Sequence, residues 1–271
     1  MKKQNILILF IAIMTTINTF ALKPSRDYLY KPDSLKMKFK EFKYNTKDGA
    51  IINTWVIKPK SVTENNKKVI IIAQSDAGNM SYLLYQAYSL SYKGYNVVMF
   101  DYRGFGESSD FKMNSEQLYY DEFVIDLKTV LCKTKEMFSN KKVGVLAFSM
   151  GTIITNFLVK NEKVDFLILE GIIPNLNTFI VQIKDKKGKD IILPKSAKKY
   201  NKNFKKNLDK INKVVIFHGL SDSFSNVSLF QNNNSSKIII VEFNGGHLQG
   251  FFKLGKKFFG DVYIESFENH I

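Results

Sequence analysis

Six short, largely apolar runs recur along the chain, at Lys68–Ala73, Tyr95–Phe100, Val143–Leu146, Val164–Leu169, Val214–Phe217 and Lys237–Val241. Each is too short for an ordinary helix, rich in β-branched residues and followed by turn-forming residues, which reads as a strand buried on both faces. Between them the apolar spacing changes to three and four. Leu83, Leu84, Ala87 and Leu90 share one helical face that closes at Gly94. Tyr120, Phe123, Val124, Leu127, Val130 and Leu131 share another, with Asn114 and Gln117 spaced to cap its start. A third face runs through Thr152–Leu158, and Phe251–Phe259 reads as a closing amphipathic helix. Upstream, Met37–Pro59 reads as a hairpin: Phe39, Phe42 and Tyr44 lead into Lys47-Asp48-Gly49-Ala50, and Ile51–Ile57 returns. Strands alternating with helices predict a mostly parallel sheet with helices on both faces. Only Pro174–Lys213 breaks the alternation. No repeat or linker divides the chain.

At 271 residues the chain is long enough for one large α/β domain. Its start reads differently from the rest. Met1-Lys2-Lys3, the apolar run Ile6–Met14 and the small residues of Thr19-Phe20-Ala21 form the pattern of a secretory signal peptide over residues 1–21. The run is too short to span a bilayer. The expectation is an exported protein, periplasmic or secreted, with a folded domain over 22–271 and no stable membrane insertion after cleavage; an uncleaved anchor is the alternative. Removing two lysines takes the formal charge from +15 to +15 − 2 = +13. Such a charge favours anionic ligands or surfaces. Nucleic acid is a poor match, because Arg26 and Arg103 are the only arginines and base reading favours the bidentate guanidinium. An AT-rich genome accounts equally well for the lysine content. Cys132 is the single cysteine, so no intrachain disulfide forms, and with three histidines no zinc-ligand spacing is present.

The candidate chemistry centres on Val145-Leu146-Ala147-Phe148-Ser149-Met150-Gly151. A strand enters it and a helix leaves it, so the serine sits at the tip of a very tight turn. Small residues at 147 and 151 let the two backbones approach, and the hydroxyl is held near the positive end of the helix. This segment resembles the nucleophile elbow of the α/β-hydrolase family, with Ala147 in place of the usual first glycine. Thr46-x-Asp48-Gly49 with Trp55 and Pro59 is similar to the family's opening hairpin. Asp101-Tyr102-Arg103-Gly104-Phe105-Gly106 resembles its loop after the fourth strand, where Arg103 is expected to tie neighbouring loops together. Gly104-x-Gly106 lacks the third glycine and the phosphate-facing helix of a dinucleotide site.

The resemblance runs from about Lys43 to the C-terminus. It implies an α/β-hydrolase fold, an eight-stranded, mostly parallel sheet with a small cap inserted after the sixth strand, at about 174–211. The stretch Pro174–Lys213 carries twelve lysines against three aspartates between Lys184 and Lys213. The resemblance also implies the partners of the serine. Asp222, in His218-Gly219-Leu220-Ser221-Asp222, matches the family's acid after the seventh strand; Glu170, one strand earlier, is the rival. His247 follows Gly245-Gly246 and is the candidate base, ahead of His218 and His270. Backbone N–H groups of Asp76 and Met150 fall at the oxyanion positions, although Gln74-Ser75 replaces the family's His-Gly. The expected activity is hydrolysis of a small-molecule acyl substrate, most simply a carboxylic ester and favourably an anionic one, by Ser149, Asp222 and His247, with no cofactor and no metal. A serine peptidase or thioesterase, a hydrolase-fold binding protein without chemistry, and a lysine-rich adhesion protein are the alternatives.

Overall fold

The computed structural model describes residues 21–230, 236–256 and 260–271. The expected leader lies outside the described residues except for Ala21. Eight strands form one sheet: β1 Phe39–Asn45, β2 Ile51–Ile57, β3 Lys68–Ala73, β4 Asn96–Phe100, β5 Lys142–Phe148, β6 Phe166–Glu170, β7 Val214–Gly219 and β8 Ile238–Phe243. Their spatial order is β8-β7-β6-β5-β3-β4-β2-β1, with the β1–β2 and β2–β4 pairs antiparallel and the others parallel. The helices are α1 Leu84–Tyr92, α2 Glu122–Met137, α3 Met150–Leu158, α4 Leu176–Lys187, α5 Tyr200–Leu208, α6 Gly250–Lys253 and α7 Asp261–Glu268.

The continuous apolar runs are explained by burial on both faces. In β3, Val69, Ile71 and Ala73 enter one core with Phe123 and Leu127 of α2, Ile153 and Ile154 of α3 and Phe204 and Leu208 of α5. Ile70 and Ile72 point the other way, into a second core with Leu84, Ala87 and Leu90 of α1 and Tyr263, Ile264 and Phe267 of α7. The period of two thus assigns alternate residues of one strand to opposite layers.

Two local expectations fail, each because a distant contact outweighs a local one. Asn114 caps a separate turn by accepting from Glu116 N–H at 2.9 Å, and α2 begins later, after an Asp121 that makes no side-chain cap. The intervening chain is bridged instead to the 192 segment, with Leu118 N–H donating to Ile192 C=O at 3.0 Å and Ile192 N–H to Glu116 C=O at 3.0 Å. The expected helix Phe251–Phe259 stops at Lys253, and residues 257–259 lie outside the described set. Here Tyr263 N–H returns to Leu254 C=O at 2.9 Å and the Asp261 carboxylate takes Lys256 N–H at 2.8 Å, which folds the chain into a turn before α7. Cys132 is on an exposed position of α2.

Arg103 ties the loops as expected. Its guanidinium meets Asp48 at 2.8 and 3.0 Å and Asp126 at 2.7 and 2.9 Å, and its own N–H donates to Asp126 at 3.0 Å. Burial lifts the Asp126 carboxyl to about 6 despite that guanidinium. Replacing Arg103 by alanine leaves a carboxylate with a fully buried side chain uncompensated. The expected result is a loss of about 3–5 kcal/mol in urea unfolding, whereas a loss under about 1 kcal/mol would place the pair among weak surface bridges.

The stretch between β6 and β7 divides. α5 flanks the sheet, its Phe204 C=O accepting from Asn156 Nδ2 of α3 at 2.9 Å. α4 and the segment after it face the end of the sheet where β5, β6 and β7 terminate. The N-terminal segment also reaches that end, where Lys23–Pro24 pairs in parallel with Ala77–Gly78.

Candidate active site

Ser149 occupies φ 46°, ψ −111°, a left-handed backbone that is costly for a residue with a Cβ, by about 1–3 kcal/mol. Three main-chain contacts hold it there. Its N–H donates to Glu170 C=O at 3.0 Å, and its C=O accepts from the Thr152 N–H at 2.8 Å and the Thr152 hydroxyl at 2.7 Å. The expected need for a small residue at 151 has a direct cause: a Cβ on Gly151 would lie 2.3 Å from Ala73 C=O, at the end of β3.

His247 reaches this turn from the loop after β8. Its Nε2 is 3.0 Å from Ser149 Oγ and its Nδ1 is 2.8 Å from Asp222 Oδ2. Gly219 makes that approach feasible, since a Cβ there would lie 2.5 Å from Gly245 C=O, just ahead of the histidine. The other oxygen of Asp222 accepts from the N–H groups of Phe224 at 3.0 Å and Ser225 at 3.3 Å. Burial raises the Asp222 carboxyl, but His247 and those two N–H groups outweigh it and hold the group below the ordinary carboxylate range. Phe224 stands edge-on to the imidazole, ring centroids 5.9 Å apart. With Nδ1–H donated to Asp222, Nε2 is left to accept the serine proton.

The structure therefore brings Ser149, His247 and Asp222 into one chain of hydrogen bonds. His218 lies in β7 opposite Glu242, and its Nδ1 is buried without a hydrogen bond among the described residues. His270 follows α7 at the C-terminal end. Glu170 is not on His247 either; its Oε1 accepts from Gly250 N–H at 2.6 Å.

A cavity of about 130 Å³ opens beside Ser149. Leu118, Phe179, Ile183, Ile191 and Phe224 give it apolar walls, and Asp76, Met150 and His247 also line it. Met150 begins α3, so its N–H has no acceptor within the helix. Burial raises the Asp76 carboxyl, opposed by its own N–H, His247 and Lys187. An Asp76 carboxylate therefore competes with a developing oxyanion for that N–H. Of the twelve lysines between Lys184 and Lys213, Lys187 and Lys189 line the cavity. Ala21, the last residue of the expected leader, does too, a contribution that cleavage after residue 21 would remove. Among the described residues no group of three His, Cys, Asp or Glu is placed to hold a metal, and no helix is long and apolar enough to cross a membrane.

Residues 64–186 match the family model described as serine aminopeptidase, S33. The fold aligns with the Pyrococcus furiosus esterase Pf2001 at a TM-score of 0.66 and 18% identity, over 92% of this chain and 96% of that one. The chain has the α/β-hydrolase fold. A second solved structure, of an α/β serine hydrolase homologue from Coxiella burnetii, aligns at a TM-score of 0.53 and 20% identity over 78% of this chain and 89% of that one. Among curated proteins, the probable lysophospholipase L2 of Haemophilus influenzae is 31% identical over 109 residues, 39% of this chain and 33% of its own length. The uncharacterised Escherichia coli protein YfhR is 40% identical over 84 residues, 30% of this chain and 28% of its own. The matched stretches thus span a third or less of these curated relatives.

Proposed function

We propose that the protein is an exported serine hydrolase that cleaves carboxylic esters by acyl transfer to water. The hydrogen-bonded series Ser149–His247–Asp222 carries the reading, because a serine hydroxyl becomes a useful nucleophile only with an oriented base in reach. Ser149 Oγ attacks the acyl carbonyl as His247 Nε2 takes its proton. The imidazolium that forms is stabilised by Asp222 and then returns the proton to the leaving oxygen. Water, deprotonated by His247, attacks the acyl-enzyme, and His247 returns that proton to Ser149 Oγ as the acid leaves. The oxyanion is held by the N–H groups of Met150 and Asp76. The apolar walls and small volume suit a short acyl chain, and Lys187 and Lys189 favour an anionic leaving group. Export rests on the charged start and apolar run of residues 1–21.

The test is fluorophosphonate labelling followed by hydrolysis assays on short and long p-nitrophenyl esters, aminoacyl anilides, a thioester and a lysophospholipid. Covalent labelling with turnover of short esters, and none of anilides, is expected. Labelling with turnover of the anilides alone would make the protein a peptidase. An unlabelled protein that hydrolyses nothing would make it a binding protein on a hydrolase fold.

A further inference from the structure

Glu170 stands at the end of β6, in register with Phe148 at the end of β5 and Phe217 in β7. It is thus in the strand between those that deliver the nucleophile and the acid. Its main chain and its side chain do different things. The C=O accepts from Ser149 N–H at 3.0 Å, and the carboxyl accepts from Gly250 N–H at 2.6 Å, three residues after His247. The loop it holds is strained: Leu248, between the two, sits at φ 57° without the freedom of glycine. The next residue, Gly171, packs against the imidazole so closely that a Cβ there would lie 2.6 Å from His247 Cε1. One dipeptide therefore touches the nucleophile's backbone, the base's ring and the base's loop.

Resting on the serine-hydrolase reading above, we propose that Glu170 is a positioning residue that sets the Ser149–His247 distance, clamping the nucleophile's turn with its carbonyl and the strained histidine loop with its carboxyl. Side-chain burial is almost complete, at 1% exposure for the residue, so the clamp is shielded from competing water. No cation pairs with the carboxyl among the described residues, and burial pushes it up to about 7. The titratable groups facing it are Tyr263 from α7, His247 and Asp222.

Two variants test the assignment. Glu170→Ala removes the acceptor for Gly250 N–H and lets the loop relax, and misplacement of a reacting group by about 1 Å costs about 10²-fold in rate. Steady-state kinetics on a short p-nitrophenyl ester should show that loss in kcat with KM nearly unchanged. Glu170→Gln keeps an oxygen acceptor and should recover most of the lost kcat. A merely structural role would lower the melting temperature without either signature. The assignment is overturned if the alanine variant keeps wild-type kcat, or if glutamine restores none of the loss. If the alanine variant does not fold, Glu170→Met, which keeps the volume but cannot accept from Gly250 N–H, decides: a kcat equal to that of the unmodified protein overturns the proposal, and a loss in kcat with KM nearly unchanged supports it. Labelling of the unmodified protein separates the two levels, since absence of label at Ser149 would remove the hydrolase reading itself, whereas normal labelling with unaffected Glu170 variants removes only the clamp.

Discussion

Replacing Ser149 by alanine abolishes fluorophosphonate labelling and lowers kcat by about 10⁴–10⁶-fold, the scale seen when a triad nucleophile is removed. The size of the effect follows from the covalent path. Without Oγ there is no acyl-enzyme, and His247 can at best activate water directly. Whatever rate remains comes from the N–H groups around the carbonyl and from binding. The fold should be almost untouched. The turn is held by the main-chain N–H and C=O of Ser149, which alanine retains, and the side chain contributes a single hydrogen bond to His247. Loss of that bond amounts to about 1 kcal/mol. Gel labelling, burst kinetics and thermal unfolding of the same preparation check all three statements together. Persistent labelling would place the nucleophile elsewhere.

Replacing Asp222 by asparagine lowers kcat by about 10⁴-fold, and the local hydrogen bonds say why. The N–H groups of Phe224 and Ser225 both point at Oδ1. An amide in this position must turn its oxygen toward them, which leaves its NH₂ facing Nδ1 of His247. That NH₂ can only donate, so Nδ1 becomes the acceptor and the ring proton moves to Nε2. The nitrogen facing Ser149 then carries a hydrogen and can no longer take one. The same two donors keep the backbone in place, so the loss should fall on kcat with stability little changed. In the unmodified protein Asp222 stays ionised through the neutral range, because its carboxyl is held below the ordinary value. Its titration should therefore not shape the pH profile above the usual carboxylate range. A nearly active Asp222→Asn beside a Glu170→Gln that loses four orders of magnitude would transfer the acid role to the sixth strand.

Much of this architecture was legible before any coordinates. Strands buried on both faces need unbroken apolar runs, and helices that cover them need apolar residues three and four apart, so each main element announces itself locally. The turn at Ser149 is signalled locally by a serine between small residues, but what excludes a Cβ at 151 is the Ala73 carbonyl at the end of the neighbouring strand β3. Asp222 and His247 were nameable only through resemblance to a family pattern. Neither residue differs locally from any loop acid or loop histidine. Their pairing spans 25 residues of chain, and the pairing of His247 with Ser149 spans 98.

The chain order of apolar runs determines that a layered α/β sheet forms, since burying alternate strand faces under helices is the economical way to remove them from water. What only the tertiary structure decided are the features made by elements meeting at the strand ends. The failed cap at Asn114 and the broken helix after Lys253 belong here, as do Lys187, Lys189 and Ala21 around the cavity. So does the double grip of Glu170 on Ser149 and Gly250. A residue's periodicity records which way it faces its own layer. It carries no record of which distant loop its carboxyl will find, because that partner is chosen by the order and twist of the whole sheet.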